Sequence, residues 1–112
     1  MAALGKLNID FVRGDDYSHV LAFQTVDCDP LDISGRTYAA QVRKHSSQTV
    51  PDATFICVVT SDVDGIVTIT LTAVATAALS PGEYMWDLEE RIASTTTTLL
   101  GGKVVVLSDV TR

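Results

Sequence analysis

Apolar and polar positions alternate along most of this chain, and the alternation breaks at short clusters of Gly, Pro, Asp and Ser. Alternation with a period of two is the pattern of a half-buried strand, so the breaks delimit strands. Leu7, Ile9 and Phe11 alternate with Asn8 and Asp10, which predicts a first strand over Leu7–Val12 and a turn at Arg13–Asp16. A second strand, Tyr17–Val26, carries Leu21 and Phe23 as its core pair, and a loop with Pro30 and Gly35 follows. The third, Arg36–Lys44, sets Tyr38, Ala40 and Val42 against Gln41 and Arg43. Strands four and five cover Ala53–Thr60 and Ile66–Thr72, joined through Asp64-Gly65, a dipeptide that favours the positive backbone angles of a tight hairpin turn.

Ala73–Leu79 reads as about two helical turns with Thr72 as N-cap. Pro81-Gly82 reverses the chain into a sixth strand, Glu83–Arg91, with Tyr84, Trp86 and Leu88 on one face. The seventh, Thr97–Ser108, is interrupted by Gly101-Gly102, which marks a bulge or kink.

Short strands at regular spacing predict an all-β fold, an immunoglobulin-like antiparallel sandwich of about seven strands with one short helix between strands five and six. Residues 1–112 make one domain, with no internal repeat or linker. Its expected core is Phe11, Leu21, Phe23, Tyr38, Val42, Phe55, Val67, Ile69, Leu71, Tyr84, Trp86 and Leu88. Tyr84 follows the turn at the place where a tyrosine corner would bond back to the loop.

Composition narrows the function. A net charge of −6 argues against a nucleic-acid binder, which needs a concentrated basic face. The nearest basic cluster, Arg43-Lys44-His45, reads as a solvated strand end. No apolar run approaches a membrane span, and the first residues lack the pattern of a signal peptide, so the expected site of synthesis and retention is the cytoplasm. Cys28 and Cys57 fit reduced thiols, Cys57 as a small core residue; a disulfide between them is the alternative. The mean hydropathy of +0.26 is high for a small domain, which leaves either a dense Val/Ile/Thr core or apolar surface covered by a partner.

Six phrases of the sequence carry a resemblance: Arg13–Asp16, Asp32–Gly35, Tyr38–Arg43, Asp64–Leu71, Ala77–Leu88 and Val110–Arg112. In this order they span nearly the whole chain, which resembles the immunoglobulin-like domain of small tailed-bacteriophage virion proteins and of the N-terminus of phage upper-baseplate and tail-fibre attachment proteins. The resemblance implies a non-enzymatic virion component, assembled in the host cytoplasm, that attaches or organises tail, baseplate or fibre proteins. Its expected partners are other virion proteins and copies of itself, with no nucleic acid and no membrane. Alternatives are a head decoration protein on the capsid, a carbohydrate-binding adhesion module, and an unrelated cytoplasmic interaction module. A single tryptophan, placed in the core, counts against the sugar binder.

No catalytic residue, cofactor site or metal site is expected. His19 and His45 fall in no nucleophile or zinc motif, and no phosphate-binding glycine loop is present. Arg13-Gly14-Asp15 spells an adhesion tripeptide but reads as a turn. Asp27, Asp29, Asp32, Asp62 and Asp64 would gather at one end of a sandwich, where they either cap turns or supply oxygens to calcium. Two runs are apolar on both faces, Val104-Val105-Val106-Leu107 and Phe55–Val59. The expected protein interface is therefore Val104, Val105, Val106 and Leu107, or the second face that carries Ile56 and Val58, unless loops or the helix cover them.

Overall fold

The computed structural model describes residues 5–45 and 47–110; Met1 to Leu4, Ser46 and the closing Thr111-Arg112 of the resemblance lie outside them. Among the described residues, nine strands and one helix follow in the order β1 (Gly5–Lys6), β2 (Ile9–Val12), β3 (Tyr17–Ala22), β4 (Thr37–Arg43), β5 (Ala53–Thr54), β6 (Ile56–Ser61), β7 (Ile66–Leu71), α1 (Ala73–Ala77), β8 (Gly82–Ile92) and β9 (Thr95–Leu107). They form two sheets. The larger has the order β1-β9-β8-β4-β5, with β2 also on β9; the smaller is β3-β7-β6. This arrangement is an immunoglobulin-like sandwich, with three strands of one sheet packed over the hairpin and third strand of the other.

One expected strand is split between the two sheets. Ala53–Thr54 pairs with β4 in the large sheet, whereas Ile56–Ser61 pairs with β7 in the small one. The chain changes sheets at Phe55, whose side chain is buried and whose N–H donates to the Ala40 carbonyl at 2.9 Å. The first expected strand begins at Ile9 rather than Leu7, and a further two-residue piece, Gly5–Lys6, precedes it. Both pieces run parallel to β9, so the sandwich is not wholly antiparallel. The helix lies where the sequence places it, and the Thr72 hydroxyl accepts from the Ala75 N–H as N-cap.

The predicted kink also moves. The register slips between Leu88 and Glu89, leaving Leu99 as the extra residue, while Gly101 and Gly102 stay in regular pairing. The glycines answer a different demand. A Cβ on Gly102 would lie 2.2 Å from the Leu7 carbonyl oxygen, so they admit a neighbouring backbone rather than bend the strand.

The core sits between the sheets. Ten of the twelve expected core residues are buried, and Phe23 and Tyr38 are half-buried, stacked on each other with ring centroids 5.7 Å apart. Trp86 packs against Phe55 at 5.6 Å and donates its indole N–H to the Leu7 carbonyl at 2.8 Å. The Tyr84 hydroxyl donates to the Ser80 carbonyl at 2.9 Å, closing the tyrosine corner. Ile9, Ile33, Ala40, Ala53, Leu79, Val104 and Val106 complete the core beyond the expected set. Both cysteines are free thiols, Cys28 exposed and Cys57 half-buried.

Candidate interaction surface

The two sheets present contrasting outward faces. Strand alternation turns Asp10, Arg43, Glu83, Asp87, Glu89 and Lys103 outward on the large sheet. On the small sheet the outward positions form two rows across the strands, Ile56, Thr70 and Ser18 and then Val58, Thr68 and Val20, followed by Ile66 beside Ala22, with Thr60 at the bulge where β6 slips register. No charged side chain occurs in these rows. Val20, Ile56 and Val58 expose 60%, 53% and 50% of their surface. The hydroxyls bond one another, Ser18 to Thr70 at 3.3 Å and Thr60 to Thr68 at 3.5 Å, which reduces their demand for water. A solvent face would ordinarily carry charge; this one is apolar and threonine-rich on a domain of net charge −6.

Of the expected interface residues, Ile56 and Val58 therefore stand on an open face. The Val104–Leu107 run does not form a comparable surface. Val104 and Val106 are 0% and 2% exposed because they point into the sandwich, so their burial is supplied by the domain itself. Val105 and Leu107 point outward on the large sheet, Val105 between Asp10 of β2 and Glu83 of β8.

The other candidates resolve into structural work. Arg13 donates through Nε to the Leu79 carbonyl at 3.1 Å and through Nη2 to the Ala77 carbonyl, and its Nη1 lies 3.6 Å from the Asp109 carboxylate. Gly14, at φ +90°, donates its N–H to the buried Thr76 hydroxyl, which donates to the Asp15 carbonyl. Asp16 accepts from the Ala73 N–H. The Arg-Gly-Asp-Asp turn thus clamps α1 against the sandwich. The Asp-rich loops do share one end, joined by the Ile33 N–H to Asp62 carbonyl bond, and there the carboxylates of Asp32, Asp62 and Asp64 bond within their own turns. Asp32 accepts from the Ser34 hydroxyl and N–H, bonds that hold its carboxyl below the usual range, and Asp64 accepts from Ser61. Among the described residues no three His, Cys, Asp or Glu side chains come together as metal ligands, and no helix is long and apolar enough to cross a membrane. His19 is half-buried on β3 opposite Ile69, and His45 is exposed in a loop.

Sequence reasoning missed a buried polar cluster. Glu90 follows Tyr84, Trp86 and Leu88 in the inward frame of β8, and this was the available signal. Its carboxylate, buried, lies 3.3 Å from Arg36 and accepts from the Tyr38 hydroxyl at 2.6 Å. Burial first, and then the bond to Glu90, push the Tyr38 phenol far above its ordinary value of 10.0. Because the folded value is raised, stability is intact below the unfolded tyrosine range and declines as pH rises past it. Chemical denaturation across pH 9 to 11 should show that decline, and Tyr38→Phe should flatten it; an identical profile in the variant would remove Tyr38 as the cause.

The sequence also gave no sign of a basic cleft. All three lysines of the chain, Lys6, Lys44 and Lys103, line one cavity of about 510 Å³ with Asn8, Glu83, Tyr84, Met85 and Gly102. Parallel pairing of β1 with β9 brings Lys6 to the level of Gly101, and the end of β4 delivers Lys44. The Lys44 ammonium lies 5.4 Å from the Tyr84 ring centre, and Lys103 is 3.5 Å from Glu83.

Comparison with known proteins gives likenesses of fold only. No family model matches the chain, and no curated protein matches it. Solved structures with a similar arrangement include the filamin domain of Lin-41, at 14% identity and TM-score 0.41, over 87% of this chain and 81% of that one. A family 123 glycoside hydrolase from Clostridium perfringens is similar at 13% identity and TM-score 0.45 over 99% of this chain, which spans 24% of the hydrolase.

Proposed function

We propose that this chain is a non-enzymatic structural protein of a tailed-phage virion, an adaptor that attaches or organises tail, baseplate or fibre proteins by docking one of them on the outer face of the small sheet. The observation that carries the docking reading is the charge-free face of Val20, Ile56 and Val58. Burying such residues against a partner contributes about 1.5–3 kcal/mol each when fully desolvated. Strand β6 lies at the edge of that sheet, so a partner strand pairing there would add backbone hydrogen bonds to the apolar contact. The virion context comes from the sequence phrases quoted above. Several of them build the scaffold here: the helix clamp at Arg13–Asp16, the turn at Asp32–Gly35, and the corner at Leu79–Tyr84.

Val58→Asp tests the reading. The residue is exposed, so the isolated variant should keep its circular dichroism and melt within a few degrees of the parent. In an assembling phage that depends on the supplied chain, the same variant should fail to enter particles. Normal incorporation would move the interface elsewhere. Recovery of the parent chain with emptied capsids rather than tails would favour the head decoration role. A sugar-binding role lacks its usual platform, because Trp86 is only 4% exposed.

A further inference from the structure

We propose that the lysine cleft is a socket for an acidic loop of a second copy of this chain, so that copies associate head to tail. The chain is acidic, yet its three lysines converge on this cavity from three separate segments. Only Lys103 among them has a carboxylate within ion-pair distance among the described residues, and that pair with Glu83 is exposed. Exposed pairs are worth little, so Glu83 does not neutralise the site. The walls are mixed: the Tyr84 ring under Lys44 and the partly exposed Met85 supply apolar surface beside the ammonium groups. A fitting occupant carries carboxylates around an apolar tip.

The turn at Thr25–Asp29 has that composition. Val26 is 99% exposed and is followed by Asp27 and Asp29, both exposed. The turn is held rather than loose. Thr25 N–H donates to the Asp29 carbonyl at 2.8 Å, Cys28 N–H donates to the Thr25 carbonyl at 2.9 Å, and Gln24 bridges to Pro30. A preordered knob loses little conformational freedom on docking.

The knob does not reach Lys44 of its own chain. It belongs to the loop that leads into β4, whereas Lys44 stands just past the other end of that seven-residue strand. At about 3.3 Å per residue, roughly 20 Å of strand separates the two ends. The contact is therefore between copies, and it joins two different surfaces, which builds a ring if the rotation closes and a filament if it does not.

Salt gives the expected signature. The net charge of −6 makes copies repel at long range, while knob and socket attract only at contact. With a screening length of about 10 Å at 0.1 M, the repulsion is largely removed and the contact pairs survive; near 1 M, at about 3 Å, the pairs weaken too. Sedimentation velocity of the full chain, raised to millimolar concentration, should show association strongest at intermediate salt and lost at high salt. Lys44→Glu/Lys103→Glu and Asp27→Lys/Asp29→Lys should each remain folded and lose association by at least about tenfold. Mixed together, the two variants should associate again, because each socket then meets a knob of opposite charge. A parent chain that stays monomeric throughout, a variant that associates like the parent, or a mixture that stays monomeric would each overturn the proposal.

Discussion

Trp86→Ala is expected to destabilise the domain by about 3–5 kcal/mol, the range for removing a large buried aromatic from a packed core. Trp86 is 4% exposed, lies beneath the hinge where Phe55 carries the chain from one sheet to the other, and is the partner of the Leu7 carbonyl. Truncation would open a cavity between the two sheets and leave that carbonyl without its donor, so two penalties add. A domain of this size has a total stability of only about 5–15 kcal/mol, and the variant should show a much lower denaturant midpoint with an unchanged slope. Trp86→Phe separates the contributions, since it keeps most of the ring and removes only the N–H. Its cost should be near the lower figure for an orphaned buried acceptor, about 1–3 kcal/mol. A cost below about 1 kcal/mol for the alanine variant would show that the sandwich does not depend on this contact.

The same residue shows what the sequence could and could not reveal. Tyr84, Trp86 and Leu88 share a face by simple alternation, and the inward frame is fixed once any one of them is placed. Local chemistry likewise announced the Asp64-Gly65 turn and the Thr72 cap, because a turn or cap is decided by neighbours in sequence. The parallel pairing of β1 and β2 with β9 was not legible. It depends on which distant strand accepts an edge, and alternation is identical for parallel and antiparallel partners. The strand change at Phe55 was hidden for the same reason: Thr54 and Thr60 fall in one outward frame, and nothing between them marks which sheet receives the run.

The candidate surfaces divide along this line. Ile56 and Val58 stand outward because Phe55 is buried and the alternation continues, so their face could be read from sequence once the frame was set. Val104–Leu107 looked equally apolar, but its immediate neighbours do not share one frame, as Thr54 and Thr60 do in placing Ile56 and Val58 in a polar frame. Pairing alone decides that Val104 and Val106 go inward and Val105 and Leu107 outward. The lysine cleft lay beyond any local signal. Lys6 and Lys103 meet only because the parallel edge places the first strand beside the last.

Gly102→Ala is expected to cost about 2–4 kcal/mol, a large effect for one methyl group and one that rests on this parallel edge. The added carbon would fall 2.2 Å from the Leu7 oxygen and 2.8 Å from its carbonyl carbon, both backbone atoms that cannot rotate away. Relief requires the Leu7 segment to lift from β9. That movement strains the bond from the Leu7 N–H to the Gly101 carbonyl and withdraws the Leu7 oxygen from the Trp86 indole. Gly102→Ala and Trp86→Phe therefore damage one shared contact. The double variant should be more stable than the sum of the single losses predicts, by about 1 kcal/mol, since the indole bond can be lost only once. Additive costs would mean that the Leu7 carbonyl stays in place and the strain is absorbed elsewhere. A near-neutral Gly102→Ala would mean that β9 itself yields, and that the glycine is not what holds the first and last strands at their close spacing.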